Sequence, residues 1–131
     1  MKIRPNPYLD DELLALAEMA GAFAAERIAP GFVERDASRV LDRDLAAEMG
    51  ALGLIAPELP ERFGGQGASK IAAGVVHEQV AAADLSLSYI NLLGSLNAQI
   101  LAEHGDPDVV EPWLRALTAG EVVCSLGLTE P

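Results

Sequence analysis

The sequence predicts an all-α fold, and its composition and periodicity support this prediction. Half of the 131 residues are hydrophobic but only 5% are aromatic, so the apolar side chains are mainly Ala, Leu, Val and Ile, which suit packed helices better than a β-sandwich. Apolar residues recur at helical spacing in segments that Gly and Pro residues separate. The length suits one domain that buries about two-thirds of its unfolded surface.

The first helix is predicted to begin after Asp10, because a carboxylate there can accept hydrogen bonds from the amides of the next turn. Its apolar face consists of Leu13, Ala17, Ala20, Ala24 and Ile28. Pro30 and Gly31 are predicted to stop the helix. The short, mixed pattern of residues 32–40 then allows at most a turn or two of helix.

A second helix is predicted to be capped by Asp42 or Asp44 and to end where Gly53 allows a left-handed exit. Its apolar positions are Leu45, Met49 and Leu52. Residues 51–69 follow, and we call this segment the 51–69 loop. Its prolines and glycines prevent the helix from continuing. Flexible linkers are polar, but this loop has apolar anchors of its own, so it is expected to be ordered and packed. The anchors are Leu52, Leu54, Ile55, Leu59 and Phe63.

Ser69 is predicted to cap a third major helix that ends near Asp84. Its apolar stripe consists of Ala72, Val76, Val80 and Ala83. Residues 86–104 then form a helix that is apolar on nearly every side, which predicts a central, buried position. Its apolar members are Leu87, Ile90, Leu92, Leu93, Leu96, Ile100 and Leu101. The polar residues Ser88, Asn91 and Ser95 share one face, which must meet either another helix's backbone or a cavity, because buried polar groups need partners.

The last helix is predicted to begin at Asp106 and Pro107 and to close at Gly120. Its apolar face consists of Val109, Val110, Trp113, Leu114 and Leu117. Residues 122–128 have the composition of a strand. Because a lone strand leaves its backbone groups unpaired, we expect its partners to lie in sequence that follows Pro131 or on another molecule.

The net charge of −11 would repel a phosphate backbone and an anionic membrane surface, so nucleic acid is not expected as a partner. No apolar run reaches the ~18 residues of a membrane span, and the first residues lack a secretory signal. A cytoplasmic location is therefore predicted. His77 and His104 are not spaced as metal ligands, and no metal site is predicted.

Catalytic motifs are not evident in the residues themselves. The glycines at 64, 65 and 67 lack the preceding strand of a nucleotide-binding loop, so they are interpreted as a turn. Cys124 has no basic neighbour to activate it, which predicts a small core residue. Composition and periodicity alone therefore indicate an acidic helical domain.

The order of several short motifs is more specific. Leu-Gly-Leu at 52–54 is followed by Pro57-Glu58, then by Gly64-Gly65-x-Gly67. Trp113-Leu114 and Gly120 come later, and Leu-Gly-Leu-Thr-Glu-Pro occupies 126–131. This order resembles the acyl-CoA dehydrogenase family. The resemblance implies a helical N-terminal domain over residues 1–120 and the start of a middle β-domain over residues 121–131.

The resemblance also implies an FAD cofactor and an acyl-CoA substrate. The positions that match the family's flavin-binding segment are Leu126, Gly127, Leu128 and Thr129. The positions that match its acyl-pocket wall are Ser88, Tyr89, Leu92 and Leu96. The family's catalytic base is a glutamate of a C-terminal helical bundle, so no residue of this chain is assigned a catalytic role.

The implied reaction is α,β-dehydrogenation of an acyl-CoA thioester to the 2-enoyl-CoA, with electrons passing to an electron-transfer flavoprotein. Family members are usually homo-oligomers. The isolated chain is expected neither to bind FAD tightly nor to turn over acyl-CoA. Three alternatives stay open: a related acyl-CoA oxidase, a flavin monooxygenase of similar fold, and a non-catalytic helical interaction module.

Overall fold

The computed structural model describes residues 6–129, so the start of the chain used for the signal prediction, and Glu130 and Pro131, lie outside the described residues. Six α-helices and no strand occur within residues 6–129, which confirms the all-α prediction. The helices are α1 (Asp11–Phe23), α2 (Phe32–Ser38), α3 (Arg43–Ala51), α4 (Lys70–Ala83), α5 (Leu85–His104) and α6 (Pro107–Thr118). The prediction of a strand over residues 122–128 is wrong for this structure, since a strand needs a neighbour to complete its ladder.

The predicted helix starts are confirmed by their capping hydrogen bonds. Asp10 accepts from the Leu13 amide at 2.9 Å, and Asp42, rather than Asp44, accepts from the Leu45 amide at 3.0 Å. Ser69 caps α4 and Asp106 caps α6, as predicted. Asp84, which was predicted only as the end of the preceding helix, caps α5. Side-chain caps depend on residues only a few positions apart, so they can be identified from sequence.

The prediction that Pro30 and Gly31 stop the first helix is wrong. The helical path continues through a π-helix over Ala24–Ile28 and a 3₁₀ turn over Ala29–Gly31, and then into α2. Pro30 lies in the first turn of the 3₁₀ segment, where its missing N–H removes no hydrogen bond. Residues 32–38 form about two turns of helix, as predicted.

The 51–69 loop is packed into the core, as predicted. Leu54, Ile55, Leu59 and Phe63 are each at most 2% exposed. Leu52 is the exception at 41% exposed, because it is the C-cap residue of α3 and precedes the turn at Gly53 that brings the chain to the core. The other buried side chains come from the flanking helices: Ala20, Ile28, Leu45, Met49, Val76, Val80, Leu87, Leu114 and Leu117.

The prediction that α5 is a central, buried helix holds for one side of the helix and is wrong for the other. One side packs on α4 and α6, and Leu87, Ile90 and Ala98 are buried there. The opposite side has no covering helix among the described residues. Val109 and Trp113 of α6 are likewise exposed, at 61% and 63%, although both were expected on the apolar inner face.

A buried ion pair holds the start of α5. Arg35 of α2 contacts Asp84 at 3.0 Å, with side-chain exposures of 14% and 4%. Asp84 also accepts from the Leu87 amide at 2.9 Å. One carboxylate therefore caps α5 and joins it to α2, which sets the direction in which the helix leaves the core.

Candidate functional site

The exposed side of α5 is apolar along most of the helix. Five residues of this side follow one another at spacings of four and three positions, and we call them the outer face of α5. They are Leu85, Tyr89, Leu92, Leu96 and Ile100. Their exposures are 62%, 50%, 44%, 45% and 40%. Residues at this spacing lie on one side of a helix, and a contiguous exposed apolar surface marks a site of contact with another molecule or domain.

Three of the four residues predicted for the acyl-pocket wall lie on this face: Tyr89, Leu92 and Leu96. Ser88 does not. It is fully buried, and its hydroxyl donates to the Leu85 carbonyl at 2.6 Å. The structure therefore separates Ser88 from the other three and adds Leu85 and Ile100 to their surface.

Two of the three residues of the predicted polar face of α5, Asn91 and Ser95, meet the 51–69 loop rather than another helix or a cavity. Asn91 donates from Nδ2 to the Leu54 carbonyl. Glu58 accepts from Ser95 at 3.3 Å and from Gln99 at 2.7 Å. Because the loop holds one side of α5 in place through these bonds, the apolar outer face is presented in a defined orientation.

The predicted flavin-binding residues lie in a segment without regular secondary structure. Leu126 is 44% exposed and Leu128 is 80% exposed, and Gly127 and Thr129 are exposed as well. Two of these side chains are therefore apolar and accessible, and the described contacts do not join any of the four to the outer face of α5.

Cys124 connects this segment to α5. Its sulfur lies 3.3 Å from Nδ2 of Asn97 and 3.9 Å from the Leu93 carbonyl oxygen. Leu93 and Asn97 directly follow the outer-face residues Leu92 and Leu96 in sequence. The thiol is half-buried and packs against the core, which is close to the small core residue that was expected. The segment thus begins beside the helix that carries the outer face.

The described residues include no group of three or more His, Cys, Asp or Glu side chains placed to hold a metal ion. Within residues 6–129, no helix combines the length and hydropathy that crossing a membrane requires. His77 is half-buried with Nδ1 3.2 Å from the Ser88 carbonyl oxygen, and His104 is exposed.

The family model for the acyl-CoA dehydrogenase N-terminal domain matches residues 10–121. This chain belongs to the acyl-CoA dehydrogenase family. The match spans α1 to α6 and the whole outer face of α5. The resemblance inferred from the ordered motifs is therefore confirmed at the level of the family.

Two curated relatives in this family extend over nearly the whole chain. It is 32% identical to a probable acyl-CoA dehydrogenase, fadE25, of Mycobacterium leprae in an alignment of 130 positions that covers 95% of this chain and 33% of the relative. It is 32% identical to the (2S)-methylsuccinyl-CoA dehydrogenase of Cereibacter sphaeroides in an alignment of 127 positions that covers 94% of this chain and 23% of the relative.

Solved structures of acyl-CoA dehydrogenases share the fold. Butyryl-CoA dehydrogenase of Megasphaera elsdenii superposes with a TM-score of 0.81 at 26% identity, covering 100% of this chain and 34% of that one. The Geobacillus kaustophilus acyl-CoA dehydrogenase gives 0.83 at 23% identity, covering 91% and 31%. The chain thus spans about a third or less of the length of the relatives it matches.

Sequence reasoning missed two members of the outer face, Leu85 and Ile100. Their spacing from Tyr89 and Leu96 is regular, so the helical period could have grouped all five residues. The period alone could not distinguish an exposed apolar face from a buried one, since α5 carries apolar residues on both sides.

Proposed function

We propose that this chain forms part of an FAD-dependent acyl-CoA dehydrogenase that oxidises an acyl-CoA thioester to the 2-enoyl-CoA. The observation that carries the proposal is an apolar outer face on α5 in a chain that the family model matches from residue 10 to residue 121. The relatives reported above are named dehydrogenases, so the oxidase, monooxygenase and non-catalytic alternatives are not favoured.

The outer face supplies the apolar surface that an acyl chain needs. Tyr89, Leu92 and Leu96 are between 44% and 50% exposed, so each has area left to bury against a ligand. Ser88 would have to release the Leu85 carbonyl to reach such a ligand. We therefore assign direct contact with the acyl group to the other three residues, and a role in holding the start of α5 to Ser88.

The segment that ends at Thr129 fits a planar, largely apolar ring. Leu126 and Leu128 are exposed, Gly127 has no side chain to obstruct a close approach, and Thr129 carries a hydroxyl that can donate or accept a hydrogen bond. These four residues would hold FAD, which supplies the hydride acceptor when bound. The solved glutaryl-CoA dehydrogenase of Mycobacterium smegmatis in complex with FADH2, which has a TM-score of 0.81 to this chain, supports this cofactor.

Three finer parts of the proposal follow from the family. Residues 1–120 form its helical N-terminal domain, and residues 121–131 begin a middle β-domain whose strands would pair with residues 122–128. An electron-transfer flavoprotein accepts the electrons. The working enzyme is a cytoplasmic homo-oligomer.

The test is expression of the gene from its own start codon to its own stop codon, followed by flavin absorbance and acyl-CoA-dependent dye reduction without oxygen. We expect a yellow protein that reduces the dye with acyl-CoA thioesters. Leu92→Ser should lower kcat/KM by about tenfold or more, because one lost apolar contact is worth about 1–3 kcal/mol. Val109→Ser is the control, since Val109 is also apolar and is 61% exposed but lies on α6.

A colourless product without acyl-CoA-dependent dye reduction would contradict the proposal. Oxygen consumption that replaces dye reduction would favour the oxidase alternative instead. The 131-residue chain expressed alone should be colourless and inactive, and a stable yellow colour in that sample would show that the cofactor needs no further sequence.

A further inference from the structure

A carboxylate lies at the edge of the outer face of α5. Glu58 accepts through one oxygen from the Ser95 hydroxyl at 3.3 Å and through the other from Nε2 of Gln99 at 2.7 Å. Ser95 follows Leu92 by three positions, and Gln99 follows Leu96 by three positions. Residues at that spacing are neighbours on a helix surface. The carboxylate is thus held beside the two leucines to which we assigned contact with the acyl group.

The position of this carboxylate is fixed by close packing between the loop and the helix. Asn91 donates from Nδ2 to the Leu54 carbonyl. A Cβ atom added at Gly94 would lie 3.1 Å from Cγ2 of Ile55, so the helix backbone approaches the loop closely there. Because Glu58 follows this contact by a few residues and is itself half-buried, its charge stays at the edge of the outer face.

Two cations lie near Glu58 but do not neutralise it. Arg62 and Lys70 line a pocket together with Glu58 and Gln99, and the outer-face residues of α5 do not line that pocket. Arg62 lies over the ring of Phe63, 4.3 Å from its centroid. Among the described residues, neither cation forms a salt bridge with Glu58. The charged group that adjoins the outer face is therefore an unneutralised carboxylate.

The helix itself adds no charge to the wall. Residues 85–102 of α5 include no Asp, Glu, Lys, Arg or His, which leaves about five turns without a formal charge. Tyr89 supplies the one polar group of the outer face, a neutral phenol. A carboxylate that is buried against such a wall loses hydration that the wall does not replace. The outer face thus suits an uncharged acyl group.

We infer that Glu58 is a specificity-determining residue of the acyl site, and that the enzyme acts on thioesters of uncharged acyl groups rather than on those with a terminal carboxylate. The inference rests on the proposed function, because it takes Leu92 and Leu96 as contacts of the acyl group. Two like charges about 12 Å apart repel by a factor of about ten in affinity at an effective dielectric constant of about 20. Glu58 therefore adds to the selection that the apolar wall already makes.

The test compares hexanoyl-CoA with adipyl-CoA, which share a six-carbon acyl chain and differ in the terminal carboxylate. The protein is expressed from its own start codon to its own stop codon, and dye reduction is measured without oxygen. We expect kcat/KM for hexanoyl-CoA to exceed that for adipyl-CoA by about 100-fold or more, because lost hydration and repulsion act together. Calorimetry with the two enoyl products, 2-hexenoyl-CoA and 2-hexenedioyl-CoA, should give the same order of affinity without turnover.

Two variants remove the charge effect in different ways. Glu58→Gln is uncharged and keeps both hydrogen bonds, since an amide can accept from Gln99 and donate to Ser95. Gln99→Lys instead places a cation beside Glu58. Each should narrow the ratio between the two thioesters about tenfold. Glu18→Gln is the matched control and should leave the ratio unchanged, because Glu18 is exposed on α1, which packs on α4.

Equal use of the two thioesters, or a preference for adipyl-CoA, would overturn this inference and leave the dehydrogenase proposal in place. A ratio that both Glu58→Gln and Gln99→Lys leave unchanged would also overturn it, because the charge of Glu58 would then play no part in selection. A protein without flavin that oxidises neither thioester would contradict the proposed function itself, and this inference with it.

Discussion

The 51–69 loop and the outer face of α5 are both rich in leucine, yet the leucines of the loop are mostly buried and those of the outer face are exposed. Leu54 and Leu59 are at most 2% exposed, whereas Leu92 and Leu96 are 44% and 45% exposed. The loop lies between α3 and α4 and contacts α5 and α6 from inside the domain. Similar side chains thus complete the core in one region and form a contact surface in the other, and only their neighbours distinguish them.

The largest expected effect comes from the same substitution made in each region. Leu59→Ala should lower the free energy of unfolding by about 2–5 kcal/mol, because it removes buried apolar contacts and leaves a cavity. Leu96→Ala should change it by no more than about 0.5 kcal/mol. Urea unfolding followed by circular dichroism measures both. Equal losses of unfolding free energy in the two variants would mean that the outer face is covered in solution, and the difference in burial between the two regions would then be wrong.

Two glycines of the loop provide the next comparison. A Cβ at Gly65 would overlap the Leu59 backbone carbonyl, whereas a Cβ at Gly67 meets nothing within 4 Å. Gly65→Ala should therefore cost about 3 kcal/mol, the upper end of overpacking penalties. Gly67→Ala should cost about 1 kcal/mol, because Gly67 has φ +62° and only the left-handed conformation is strained. Thermal unfolding ranks the two, and the reverse order would show that the loop packs differently.

The hydrogen bond between the loop and the inner side of α5 has an intermediate effect. Asn91→Leu should cost about 1–3 kcal/mol, because it leaves the buried Leu54 carbonyl without its donor. Asn97→Leu is the matched control on the same helix and loses only a contact to the Cys124 sulfur, which is a weak acceptor. Unfolding in urea should separate the variants, and equal costs would mean that Asn91 does not hold the loop.

The smallest effect concerns an exposed ion pair that lies outside both regions. Arg27 donates to Glu48 at 2.8 Å and 2.7 Å, and this hydrogen bonding together with the positive charge lowers the pKa of Glu48. A lowered carboxyl pKa stabilises the fold above the ordinary glutamate range, and this contribution is lost as the pH falls through the folded-state value. NMR titration should find the Glu48 pKa below the ordinary glutamate value, and Arg27→Met should raise it.

Much of the fold could be predicted because the decisive signals were local. Asp10, Asp42, Ser69 and Asp106 cap helices through amides two or three residues away. Three of them were identified from their position before an apolar run, and Asp42 was one of two candidates. The packing of the loop followed from Leu54, Ile55, Leu59 and Phe63 for a related reason, since a flexible linker would not carry so many apolar anchors.

The candidate site could be predicted only in part. Tyr89, Leu92 and Leu96 share an exposed face, but Ser88 is fully buried. His77 of α4 lies against the Ser88 carbonyl oxygen. Which positions of α5 are covered thus depends on packing between segments that are distant in sequence.

The sequence by itself determined where the helices begin, which loop is packed and to which family the chain belongs, because these properties depend on neighbouring residues and on the order of short motifs. The tertiary structure alone decided which side of α5 is covered, how the helical path passes Pro30, and that residues 122–128 form no strand here. Burial and strand pairing are set by what lies across a contact, and a linear pattern does not contain that information.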